Sequence, residues 1–195
     1  MKGLTLRHPW SFAVAYLGKP VENRDWDDRL ADLMGLPQLI GETIAIHGGA
    51  APQRPKSGKH WQQLAPSNLW RQHCEDLQVV HQILDGELPD AAAQFLARTG
   101  VTTLTPEAFI LPGIVAVATI SGTTRASRDR WAAQGQLHIL LSDVIALPEP
   151  VQCSGAQGFW TVPEVIETEV RRQYRGAIDA RPPRHGHLTA QEWLA

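Results

Sequence analysis

Three side chains capable of ionic or proton-transfer chemistry crowd into one short segment, Gly18-Lys-Pro-Val-Glu-Asn-Arg24. Lys19 is a mobile point charge and, if deprotonated, a nucleophile; Arg24 can grip a phosphate or a base edge through two parallel hydrogen bonds. Glu22 could act as a base or pair with Arg24, since residues two apart on an extended strand share a face. A second group precedes it. Arg7 and His8 stand before Pro9 and Trp10, where the amides opening a helix would form an anion site to which Arg7 adds charge. His47 ends an apolar run beside Gly48-Gly49, and Trp10, Trp26 and Trp160 could stack on a planar ligand. Lys19, Glu22 and His47 are thus the candidate catalytic residues. Arg7, His8, Trp10, Lys19, Arg24 and Trp26 are the candidate ligand-binding residues.

Each candidate also has a purely structural reading. Lys19 could be an ordinary turn lysine, and Glu22 with Arg24 a structural ion pair. Trp10 lies on an apolar helix face and Trp160 follows Gln157-Gly158, so both suit a core. His73 and His81 lie on the helical pattern of 67–84 and are expected as surface residues of an amphipathic helix. His185 and His187 form a tail pair with little specificity for metal.

The elements needed to position these groups follow from periodicity. An alternating strand is expected over 2–6. Then Pro9 opens a helix through Trp10, Phe12, Ala13, Tyr16 and Leu17 that Gly18 stops. Residues 21–26 read as extended. A strand over 41–47 ends at two glycines, and 51–60 is a polar loop. Helical patterns cover 67–84, with Ser67 as a candidate N-cap, and 91–98, ended by Gly100; 105–109 adds a turn. Gly113-Ile-Val-Ala-Val-Ala-Thr-Ile120 is nearly all apolar, which predicts a central strand buried on both faces. Strands at 138–146 and 151–153 follow. Trp160-Thr-Val162 leads to Pro163 and a helix through Val165, Ile166, Val170 and Tyr174.

The chain has 195 residues and a net charge of −2. Residues 1–60 carry eight Lys and Arg against six Asp and Glu, 61–112 two against six, and 113–195 eight of each. No general basic coat exists, so any polyanion site must be local. Cys74 and Cys153 stand far apart with no partner at metal spacing, which fits a reducing, cytoplasmic setting. No apolar run reaches the roughly 20 residues of a membrane span, and Trp10–Leu17 is followed by charges rather than a cleavage site. No phosphate loop, dinucleotide glycine pattern or metal set occurs, so no cofactor or metal is implied.

Leu4-Thr-Leu-Arg-His-Pro-Trp10 with Gly18-Lys-Pro-Val-Glu-Asn-Arg-Asp-Trp26 resembles the opening of ASCH domains, the module of activating signal cointegrator-1. Ile44-Ala-Ile-His47-Gly and Gly113-Ile-Val-Ala-Val-Ala are similar to that family's second and central strands. Leu140-Leu-Ser-Asp143-Val, Pro148-Glu-Pro150-Val and Gly155-Ala-Gln157-Gly-Phe-Trp160 resemble its closing hairpin. The likeness spans roughly 3–50 and 113–162. It implies an α+β fold, a PUA-like β-barrel of ASCH type over 1–162, with a helical insert at about 61–112 and a C-terminal helix and tail over 163–195. It further implies a groove for nucleic acid or a modified nucleobase. The oligomeric state is open, with a monomer favoured.

Three functions are open at this point. The first is a nucleic-acid-binding module, RNA ahead of DNA. The second is a hydrolase. Small bacterial ASCH proteins include amidohydrolases acting on N4-acetylcytidine through a lysine after the first helix, a threonine and a glutamate. Lys19 matches the lysine, Glu22 stands at the threonine, and Thr119 and Ser121 lie where the acid is expected. Ribonuclease chemistry would pair His47 with Lys19. The third is a protein-interaction adaptor docking through the insert, where Trp61, Leu64, Leu69 and Trp70 cluster; these could equally cover one end of the barrel.

Overall fold

A computed structural model describes residues 1–56 and 58–180. Six strands form one curled sheet, a half-barrel. They are β1 (Lys2–Leu6), β2 (Val21–Arg24), β3 (Thr43–Gly48), β4 (Gly113–Thr124), β5 (Leu137–Val151) and β6 (Phe159–Thr161). Their order is β2-β5-β4-β3-β1-β6; β1 and β3 run parallel and the other neighbours antiparallel. Five α-helices accompany them among the described residues: α1 (Trp10–Tyr16), α2 (Asp28–Leu33), α3 (Leu69–Ile83), α4 (Asp90–Arg98) and α5 (Glu164–Asp179).

The curl has a local cause. The β4–β5 ladder shifts register at three places and β3–β4 shifts between Ile46 and His47. Each bulge adds twist and bends its strand. As a result the edge strands approach one another, and Trp26 after β2 meets Phe159 of β6 edge-on at 6.0 Å between ring centroids.

Both faces of the central strand are buried, as its composition predicts. Ala116, Ala118 and Ile120 of β4 pack with Leu4, Ile44, Ile46 and Ile139, joined by Ala31 of α2. Ile114 and Val117 pack on the other side with Leu147, Val162 and Val170 of α5. A third cluster unites Phe12, Ala13, Tyr16 and Leu17 of α1 with Val80 and Leu84 of the α3 end and Ala92, Phe95 and Leu96 of α4. Tyr16 and Phe95 stack at 4.2 Å. The insert is therefore built into the core through α1.

Several local expectations are corrected. Asn68, not Ser67, caps α3, because its Oδ1 accepts from the amides of Trp70 and Arg71. The strand expected at 138–146 runs on to Val151 as one continuous β5, and residues 152 and 153 of the second expected strand lie outside it. Helix α2, capped by Asp27, was not anticipated. His73 is buried rather than at the surface, bonded through Nε2 to the Pro106 carbonyl at 2.8 Å, while His81 is exposed. Pro9 precedes α1 in a cis peptide with His8 instead of lying inside the helix. His185, His187, Trp193 and Leu194 lie outside the described residues. Among those described, no helix is long and apolar enough to cross a membrane and no acid, His and Cys cluster could hold a metal.

Candidate functional site

Gly18 ends α1 at φ +70°, a conformation cheap only for glycine. The Lys19 amide returns to the Ala13 carbonyl at 3.2 Å, and the chain turns directly into β2. Strand alternation then divides β2. Glu22 and Arg24 share one side with Lys19. Asn23 holds the 131–133 loop on the other, giving Nδ2–H to the Trp131 carbonyl at 2.8 Å and accepting from the Ala133 amide at 3.1 Å.

Lys19, Glu22 and Arg24 form a buried chain of charge. Lys19, 1% exposed, donates from Nζ to the Val21 carbonyl and lies 3.4 Å from Glu22 Oε2. Glu22 Oε1 lies 3.1 Å from Arg24 Nε. That second contact is an ion pair without hydrogen-bond alignment, since Nε of Arg24 has no aligned acceptor. Arg24 also donates from Nη2 to the Thr5 carbonyl at 3.0 Å and lies over the Trp26 ring at 5.3 Å. Burial lowers the Lys19 pKa from its ordinary value; Glu22 opposes the shift and Arg24 adds to it.

These residues open into a cavity of about 1120 Å³. Its lining includes Lys19, Glu22, Arg24, His47, Arg7 and Trp10, so most of the candidates from the sequence come together at one place. Arg7, Lys19, Arg24 and Arg130 are among its lining residues with the carboxylates Glu22 and Asp25, Lys19 itself being buried.

His8 and Trp26 do not line the cavity. His8 accepts the Leu111 amide at Nδ1 (3.3 Å) and donates from Nε2 to the Gly49 carbonyl (2.9 Å). Burial pulls its pKa down to about 4. The Trp10 amide is spent on the Arg7 carbonyl at 2.9 Å, so what this segment offers the cavity is the Arg7 and Trp10 side chains. Trp26, 8% exposed, backs Arg24 from within the core.

His47 lines the cavity with both ring nitrogens engaged. Trp160 gives its Nε1–H to Thr5 Oγ1 at 3.0 Å, so the Thr5 hydroxyl proton goes to His47 Nδ1 at 3.2 Å. That leaves Nε2–H for the Cys153 carbonyl, also 3.2 Å away. Burial lowers the His47 pKa, against the bond to Cys153. The imidazole is a neutral strut holding the 153–158 segment on β1 and β3, and Gly155 lies so close that a Cβ there would sit 2.5 Å from His47 and from Thr5 Oγ1.

Sequence reasoning missed Thr5, Asn23, Arg130 and Asp76. Asp76 of α3 accepts hydrogen bonds from Arg7 Nη2 (3.2 Å) and Trp10 Nε1 (3.1 Å), and its Oδ2 forms an ion pair with Arg7 Nε at 2.9 Å. Burial raises its pKa against the pull of Arg7 and Trp10. No local signal could reveal a partner 66 residues away. Thr119 and Ser121, the positions expected to supply a hydrolase's acid, do not line the cavity; Ser121 Oγ donates to the Leu140 carbonyl at 3.3 Å.

Compared with known proteins, the chain matches no family model and no curated protein.

Proposed function

We propose that this chain is an ASCH-type, PUA-like protein that binds single-stranded RNA in the cleft above Lys19, Glu22 and Arg24. One observation carries the reading: four cations against two carboxylates line a single concavity in a chain whose net charge is −2. A local cationic cleft in a slightly acidic protein is what a phosphate-bearing ligand requires. Trp10 adds a half-buried aromatic edge at the wall, and the resemblance of 3–50 and 113–162 to ASCH domains favours RNA over DNA. Titration of a labelled single-stranded RNA at rising salt is the test. Lys19→Ala and Arg24→Ala should each weaken binding and flatten its salt dependence. No retention of any RNA at low salt would sink the reading.

A second reading, hydrolysis of N4-acetylcytidine to cytidine and acetate, is favoured by the Lys19 amine. Burial moves this amine toward the neutral form that can accept a proton, and a carboxylate adjoins it. Incubation with N4-acetylcytidine, with Lys19→Ala as control, tests it. Turnover that persists in the variant removes Lys19 from the chemistry.

A further inference from the structure

Helix α3 forms one wall of the cleft, although it belongs to the insert. Asp76, Val79 and Ile83 recur at helical spacing, and Val79 and Ile83 line the cavity. Val79 is 44% exposed, an apolar side chain left uncovered inside a polar cleft. An arginine is fixed at each end of this strip. Asp76 holds Arg7 through one hydrogen bond from Nη2 and an ion pair at Nε, and accepts a second hydrogen bond from Trp10. The Ile83 carbonyl, one of the last in α3 and without a partner within the helix, accepts Arg130 Nη1 at 3.2 Å. The two anchoring points are seven residues apart, about 10 Å along the axis at 1.5 Å per residue.

We infer that α3 is the specificity wall of this site: by seating Arg7 and Arg130 at separate points on either side of Val79, it commits the cleft to a strand of linked nucleotides rather than a free nucleoside. The inference rests on the RNA-binding reading and deepens it. Both arginines are exposed, and each keeps N–H groups beyond those its anchor uses, available to a phosphate. Two such groups separated by two helical turns exceed what one phosphate can bridge but suit successive phosphates on an extended strand. Val79 lies between the two anchors and Trp10 beside Arg7 at the Asp76 end, both lining the cavity for contact with a base. Asp76 is a positioning residue, acting through Arg7 and Trp10.

The experiment measures binding of uridine monophosphate and of a labelled hexauridylate by the full chain. Variants are Arg7→Gln, Arg130→Gln, the double variant and Asp76→Asn, with thermal melts to verify folding. The unaltered protein should bind the oligonucleotide far more tightly than the mononucleotide. Each arginine variant should lose about tenfold on the oligonucleotide and reduce the salt slope by about one. The double variant should lose most of the preference for length. Asp76→Asn gives opposite signs for the two explanations. If only net charge matters, removing a carboxylate strengthens RNA binding; if Asp76 positions Arg7 and Trp10, binding weakens. Stronger binding by Asp76→Asn, or unchanged oligonucleotide affinity in both arginine variants while Lys19→Ala loses it, overturns the inference and leaves RNA binding standing. Absence of RNA binding by the unaltered protein at low salt overturns both.

Discussion

The guanidinium of Arg24 donates to the carbonyl of Thr5 at 3.0 Å, joining β2 to β1 although the two strands stand four places apart in the sheet. The β6 ladder pairs only Lys2 to Leu4 of β1, so beyond Leu4 that strand has no β6 neighbour, and there a side chain takes the Thr5 carbonyl. Closure of the half-barrel and construction of the cleft therefore share one residue. Arg24→Lys keeps the charge but cannot serve Glu22 and Thr5 together, and Arg24→Ala leaves Glu22 with Lys19 alone. Urea unfolding should show Arg24→Ala destabilised by about 3 kcal/mol, with Arg24→Lys between it and the parent. Equal stability of all three would show that the Thr5 contact does not hold the sheet closed.

Glu22 is the main influence keeping Lys19 charged. Its carboxylate raises the Lys19 pKa while burial lowers it. Glu22→Gln removes the raising charge, so the lysine should titrate at lower pH than in the parent. NMR titration of the Lys19 side chain measures this directly. A shift upward would mean that the Glu22 carboxylate is not what keeps this amine charged.

Gly155 packs against the Thr5–His47 pair with no room for a methyl group. Gly155→Ala should push the 153–158 segment off the strut and cost about 1–3 kcal/mol. Loss of the hydrogen bond to Cys153 should also move the His47 ring resonances. An unperturbed His47 spectrum would show that the segment accommodates the methyl group by another route.

Two buried histidines make stability fall on acidification. The folded pKa of His8 is about 4 and that of His47 is also lowered, whereas both titrate near 6.5 in the unfolded chain. Between these values the unfolded state binds more protons, so stability is full above about pH 6.5 and declines as pH falls toward 4. The His8 contribution amounts to roughly 3 kcal/mol at most. His8→Gln removes that titration and should flatten the decline in urea midpoint between pH 7 and 4.5. An unchanged slope would show that His8 does not stay neutral in the fold.

Deletion of 61–110 separates a docking insert from a structural one. The insert covers Phe12, Tyr16 and Leu17 through Phe95, Leu96 and Val80. Removing it exposes these apolar side chains, and the truncated chain should fail to melt cooperatively. A cooperative transition in the truncated protein would restore the adaptor reading.

The sequence alone determined what depends on neighbours along the chain. The alternation of Lys2–Leu6, the apolar face of α1 stopped by Gly18, the Glu22–Arg24 face of β2 and the apolar run of β4 were all legible, because helix and strand periods are local properties. They placed Lys19, Glu22 and Arg24 at a turn and on one strand face. Only the tertiary structure decided which distant groups meet them. Curling of the sheet brings Thr5 to Arg24, burial turns His47 into a neutral strut, and the insert sends Asp76 to Arg7 and Trp10. His8 and His73 illustrate the same boundary, since each is buried by carbonyl partners more than thirty residues away. Hydrogen-bond partners at that separation leave no periodic trace in a sequence; they are fixed when the sheet bends and the helices pack on it.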